Sequence, residues 1–259
     1  MSGAVQDRRR INGPARSVEP IYTTTPLDAS LAKGRSDGRG LDHMRPIYAK
    51  AGPIASTAQT TGSASGSAFY EQGSIRISCA VYGPRSGRKT NARRAHFECD
   101  FQYAPFACNS RTHTQTDEHE ISLFLSNTVG PAIRLDSYPK SSIDAYVTVI
   151  ESDGKMATLA AAINCISLAL ADAGIEMYDT VAACSMGLRG SQWVVDCTQT
   201  EEAECSMLVA YMPSVDEVTG VLQNGKTSLE MHEQAVQACT NVCVRVYAVI
   251  CRALQASLE

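Results

Sequence analysis

An α+β fold is predicted for this 259-residue chain by three features of its sequence. Apolar and polar residues alternate with a period of two in several short runs, apolar residues recur at three- and four-residue steps in three longer runs, and strand-like and helix-like runs come in two successive blocks. That order implies two similar halves of βαβα type, with mixed sheets packed against helices.

The sharpest element is a hairpin. Ala68 and Tyr70, then Ile75, Ile77, Cys79 and Val81, lie at strand period on either side of Gln72-Gly73-Ser74, and Gly73 suits the positive φ of a short loop. Earlier, the pattern turns to strand from Ile47, after a stretch to about residue 42 without apolar period; Ser56–Ser67 reads as a flexible connection or as part of an irregular strand before the hairpin. A strand follows over Ala95–Tyr103, then a helix from about Asp117 to Ala132 capped by Thr116, with Ile121, Phe124, Leu125 and Thr128 on one face. Ile143–Ile150 alternates again. A second helix starts near Asp153, carries Met156, Leu159, Ile163, Ile166 and Leu170, and stops at Gly174. Strands are predicted at Thr180–Leu188, Gln192–Cys197, Cys205–Met212 and Val215–Gln223. The last helix opens on Thr227-Ser228-Leu229-Glu230, a capping box, and buries Val236, Cys239, Val242, Val246, Val249 and Ala253.

Length and composition predict one folded domain over 43–259 and an extension over 1–42. No run reaches the roughly 20 apolar residues of a membrane-spanning helix, and no apolar stretch follows Arg8-Arg9-Arg10, so neither a membrane partner nor a secretory leader is expected. Ten cysteines lie mostly inside apolar runs without a C-x-x-C pair, which points to buried, reduced thiols and an intracellular compartment. Cys239 and Cys243 with His232 have a zinc-like look, but the neighbouring valines favour a core stripe.

Charge is unevenly spread. Residues 1–100 carry 15 Lys and Arg against 8 Asp and Glu, whereas 101–259 carry 8 against 19. One face meeting a polyanion or an acidic partner would account for this, as would a solvated tail. Arg85, Arg88, Lys89, Arg93 and Arg94 are the candidate contacts to an RNA backbone, and Arg8, Arg9 and Arg10 to a partner or RNA; a solvated loop is the competing reading. Ala182-Ala183-Cys184-Ser185-Met186-Gly187 lacks the first glycine and the following helix of a nucleophile elbow, and His113, Asp117 and His119 lack ligand spacing.

The hairpin, Tyr138-Pro139-Lys140-Ser141-Ser142-Ile143-Asp144, Glu151-Ser152-Asp153-Gly154 and Leu168–Ile175 occur in the order found in RNase PH, which the chain resembles over roughly 43–256. Arg35-Ser36-Asp37-Gly38-Arg39 is similar to that family's N-terminal signature. Gln6–Arg10 with Gly13-Pro14 narrows the resemblance to RNase PH-like subunits of the RNA exosome ring.

The resemblance implies the RNase PH fold and, in active members, attack of inorganic phosphate on a 3′-terminal RNA phosphodiester. Such members place Gly-Gly-Thr-Arg at a helix N-terminus, where free N–H groups hold the anion. Here the matching positions are Gly154, Lys155, Met156 and Ala157, which supply neither hydroxyl nor guanidinium, and the arginine expected upstream is replaced by acidic Thr116–Glu120. Asp196 and Glu202 match two family aspartates; with Glu201 and Glu204 they would hold magnesium or form a solvated acidic loop.

The implied role is therefore a non-catalytic ring subunit without metal or cofactor, supporting 3′-to-5′ RNA processing and degradation. Its implied partners are other RNase PH-like exosome subunits, RNA-binding cap subunits, RNA and an associated hydrolytic exoribonuclease, in nucleus, nucleolus and cytoplasm. The alternative is an active phosphorolytic exoribonuclease completed by a neighbouring subunit.

Overall fold

The computed structural model describes residues 35, 37–53, 64–86, 93–107, 115–190, 192–199, 201 and 205–258. The first sheet comprises β1 (Ile47–Ala51), β2 (Gly66–Gln72), β3 (Ile75–Ser86), β4 (His96–Tyr103) and β5 (Ser141–Glu151) in the order β1-β2-β3-β5-β4. All pairs are antiparallel except β4 with β5, which are joined through a crossover helix and run parallel.

The hairpin closes with Gln72 opposite Ile75. Gly73 has φ 59°, and a Cβ there would lie 2.4 Å from the Arg45 side chain, so the turn needs glycine for both conformation and space. Farther along β3, a register shift between Tyr82 and Arg85 contains Gly83 and Pro84, joined by a cis peptide bond. The extra residue re-aims the strand, bringing Arg85 onto the same side as Tyr82.

The crossover helix is α1 (Gln115–Val129). It begins one residue before Thr116, so that threonine is inside the helix and does not cap it. Gly130-Pro131 then ends the α-helical run, and a 3₁₀ turn continues over Gly130–Ala132. One face of α1 presents Glu118, Ser122 and Ser126 to the outer edge of β4. Their oxygens accept the N–H groups of Tyr103 at 3.2 Å, Phe101 at 3.0 Å and Cys99 at 3.0 Å. Four helical residues advance about 6 Å. Two strand residues advance nearly as far, about 6.6 Å, so the acceptors keep step with alternate amides.

Helix α2 (Lys155–Asp172) is buried from Ala157 through Leu170. It packs on β2 and β3 with one side and on β6 and β8 of the second sheet with the other. Asn164 crosses this junction: its amide donates to Ala183 O at 3.1 Å and to Tyr70 Oη at 3.3 Å, while its oxygen accepts Ala183 N at 2.7 Å. Contrary to the sequence reading, α2 is long and apolar enough to cross a membrane by length and composition, with a mean hydropathy of 1.3. Its apolarity serves burial between two sheets, which leaves no polar face. It stops at Gly174, φ 68°.

The second sheet comprises β6 (Ala182–Arg189), β7 (Gln192–Val195), β8 (Cys205–Met212) and β9 (Glu217–Asn224) in the order β7-β6-β8-β9. Among the described residues it is antiparallel throughout, because its strands are linked without an intervening helix, and it is not the mixed sheet expected of the second half. β9 begins two residues later than the Val215 boundary. Helix α3 (Leu229–Leu258) packs on β6, β8 and β1. Ser228, not Thr227, caps it, its Oγ accepting Met231 N at 3.4 Å.

Cys239 and Cys243 lie in the core with Val242 and Val246, while half-buried His232 meets Gln223 Oε1 at 2.8 Å. The nine described cysteines are free. Ser185 is buried within β6 and is not displayed at a strand-to-helix turn.

Candidate functional site

The C-terminal end of β5, the start of α2, the segment after β7 and the chain before β1 converge on one ionic cluster. Asp196 is its centre. The residue follows β7 at φ 54°, a conformation that Asp tolerates, and its side chain is fully buried. Arg45, just before β1, donates Nη2 to Oδ1 at 2.6 Å and both Nε and its own backbone N to Oδ2 at 2.9 Å. Arg39 adds Nη1 to Oδ2 at 3.4 Å. Arg45 also reaches Asp153 Oδ2 at 2.6 Å, and the other oxygen of Asp153 accepts Gln199 N at 2.9 Å.

A second fork lies alongside. Arg35 binds both Glu201 oxygens, at 2.9 and 3.0 Å, and donates to the backbone carbonyls of Val195 and Asp196 at 2.8 and 2.6 Å. Burial works to raise the carboxyl of Asp196, but hydrogen bonds and charge from Arg45 overcome it and hold the pKa below the ordinary value. The same balance holds for Glu201, with Arg35 and the Thr198 amide against burial. Burial would lower Arg45, and its two carboxylates raise it instead.

At Asp196 and Glu201 this geometry corrects the reading of a solvated acidic loop. Asp196 and Glu201 are inside, and the arginine donors occupy the oxygens that a magnesium ion would need. Glu202 and Glu204 lie outside the described residues. Sequence reading singled out the signature Arg35 and Arg39 but not Arg45, whose signal is a cation directly before an apolar strand. It also missed Asp153 as a site residue, although Asp153 belongs to the Glu151–Gly154 turn that carried the resemblance.

At the start of α2, Gly154 has φ 95° and lies against the chain after β7, where a Cβ would be 3.5 Å from Cys197 O. Ala157 is buried, and Lys155 alone points a cation outward. Three arginines face four carboxylates here, those of Asp37, Asp153, Asp196 and Glu201. Among the described residues the arrangement binds chain segments together, and each of the three arginines is already paired with a carboxylate.

The proposed RNA contacts are separate from this cluster. Arg85 places its guanidinium 4.7 Å above the Tyr82 ring, which meets Tyr146 edge-on at 5.6 Å. Arg93 is exposed, and exposed Arg94 lies 3.5 Å from Asp136. Arg88, Lys89, Arg8, Arg9, Arg10 and His113 lie outside the described residues. Of the acidic Thr116–Glu120 stretch, Glu118 serves β4.

Two ionic forks beneath a helix start, on an α2 shared by two sheets, make up the candidate site. The profile of the 3′ exoribonuclease family, domain 1, matches residues 43–176, and that of its domain 2 matches 179–244. The chain belongs to this family, that of RNase PH. It is 35% identical to the human protein named exosome complex component MTR3, covering 96% of this chain and 94% of that one. The mtr3 component of Schizosaccharomyces pombe is 38% identical, with 86% of each chain covered. Exosome complex component Rrp41 of Methanopyrus kandleri is 36% identical over 85% of this chain and 92% of its own. The crystal structure of rice Rrp46 shares the fold, with a TM-score of 0.75 at 22% identity over 85% of this chain and 100% of that one.

Proposed function

We propose that the chain is a non-catalytic wall subunit of an RNA exosome ring. It would assemble with other RNase PH-like subunits and RNA-binding cap subunits, and guide RNA to a separate hydrolytic exoribonuclease in nucleus, nucleolus and cytoplasm. One observation carries the loss of chemistry: the arginines nearest the start of α2 are spent on Asp153, Asp196 and Glu201. Phosphorolysis needs cationic or N–H donors aimed at inorganic phosphate, and here Asp153 adds a negative charge where that phosphate would approach.

Arg85, Arg93 and Arg94, with Arg88 and Lys89 between them in sequence, would hold the RNA backbone. Residues 1–42 would form a partner- or RNA-contacting extension through Arg8, Arg9 and Arg10, and 43–259 the RNase PH-like domain. The root of that extension, Arg35 with residues 37–42, is tied to the domain through the ionic cluster.

The test is phosphate-dependent release of nucleoside diphosphates from RNA by the purified full chain, alone and in its purified assembly with any separate hydrolytic nuclease inactivated. No release attributable to this chain is expected. Release that Asp196→Ala abolishes, while the variant still assembles, would establish the phosphorolytic alternative.

A further inference from the structure

The two sheets have four edges, and the chain treats them differently. β4 is closed by Glu118, Ser122 and Ser126 of α1. β7 has only four residues, and β1 has five with exposed Lys50 among them. β9 runs for eight residues without Lys, Arg or Pro, and among the described residues no strand pairs with its outer edge. Val218 and Val221 are 44% and 43% exposed on it. Short edges, charges and coverings are the usual protections against strand addition, and β9 carries only Glu217 at its first residue and a register shift beside Val218.

The strand is also well seated. A Cβ on Gly220 would lie 2.7 Å from Thr128 Oγ1 of α1, and Leu222 packs against the core. From Gly220 to Asn224 it pairs in regular register with Ala210 to Ser206 of β8. Alternate N–H and C=O groups of such a strand point away from its partner, at a spacing that another extended backbone matches.

We propose that β9 is a docking edge that accepts an extended strand from a neighbouring RNase PH-like chain, with aliphatic side chains against Val218 and Val221 and basic residues flanking them. The inference rests on the ring reading and names one of its contact surfaces. Charge selects the occupant. Exposed Glu217, Glu230 and Glu233 lie on or near the edge, so a strand flanked by basic residues complements it, whereas the same acidic edge of a second copy would bring like charge to like.

Hydrogen exchange of the full chain, free and in the assembly purified through it, tests this together with Val218→Lys and Val221→Lys. Alternate β9 amides should exchange at least about tenfold more slowly in the assembly. Each lysine variant should keep the thermal midpoint of the free chain and lose about tenfold in recovery of one RNase PH-like neighbour by native mass spectrometry. Equal exchange in both states, or unchanged recovery with a folded variant, overturns the docking edge while leaving the ring reading intact. Protection that grows with concentration of the free chain assigns the edge to a second copy and overturns the heteromeric partner. Recovery of no RNase PH-like chain by the wild type overturns the ring reading and this proposal with it.

Discussion

Replacing Asp196 by Asn should cost this protein more stability than most single substitutions. The change preserves size and the left-handed backbone, since Asn accepts φ 54° as readily as Asp, so the charge is what is removed. The side chain is fully buried, and that of Arg45 is 5% exposed. Four N–H donors converge on the carboxylate at 2.6 to 3.4 Å, and an amide can accept only through its one oxygen while its NH₂ faces the remaining donors. Breaking a buried ion pair by removing one partner costs about 3–5 kcal/mol, because the other charge stays buried without compensation.

Urea unfolding of wild type and Asp196→Asn at neutral pH measures the loss, with the same denaturant slope required of both. Arg45→Met and the double variant complete a cycle, in which the pair should cost less to remove together than the sum of the single losses. A loss below about 1 kcal/mol for Asp196→Asn would place the cluster among exposed ion pairs and refute the reasoning.

Two further outcomes follow from the same structure. Ser122→Ala and Ser126→Ala each leave an edge amide of β4 without its acceptor and should cost about 1–3 kcal/mol, with faster hydrogen exchange at Phe101 and Cys99 respectively. Unchanged exchange at both amides would show that α1 does not protect this edge. On acidification, the folded pKa values of Asp196 and Glu201 lie below their unfolded ones, so their contribution is complete above about pH 4–5 and disappears as pH falls through the folded values. The raised pKa of Arg45 keeps its charge throughout that range. Thermal midpoints across pH 7 to 2 check the sign, and an equal loss above pH 6 would contradict it.

Legibility in the sequence followed the physical range of each feature. Strand and helix periods depend on one burying face, and β2, β3, β8 and α2 were read closely from them. Boundaries set by single contacts escaped: Thr227 and Ser228 are equally good caps in sequence, and only the approach of Met231 N selects Ser228. Gly154–Ala157 disclosed the missing hydroxyl and guanidinium because helix starts depend on local residue type. The ionic cluster was hidden, since Arg45 and Asp196 meet across more than half the chain and no spacing rule joins them. Glu118, Ser122 and Ser126 carry a readable four-residue period, but polar residues at that step ordinarily mark a solvated face.

Helix α2 has a consequence for how this protein can be divided. The family's two domain profiles part after residue 176, yet α2, within the first, is the floor beneath both sheets, and Asn164 satisfies the backbone of β6 from there. A fragment ending at residue 176 would expose the apolar side of α2 that β6 and β8 cover, and a fragment beginning at 179 would lose the layer that closes its sheet. The two halves are therefore expected to unfold in one transition, and a cut between them to leave two pieces with exposed apolar faces, which calorimetry of the full chain and of each fragment checks.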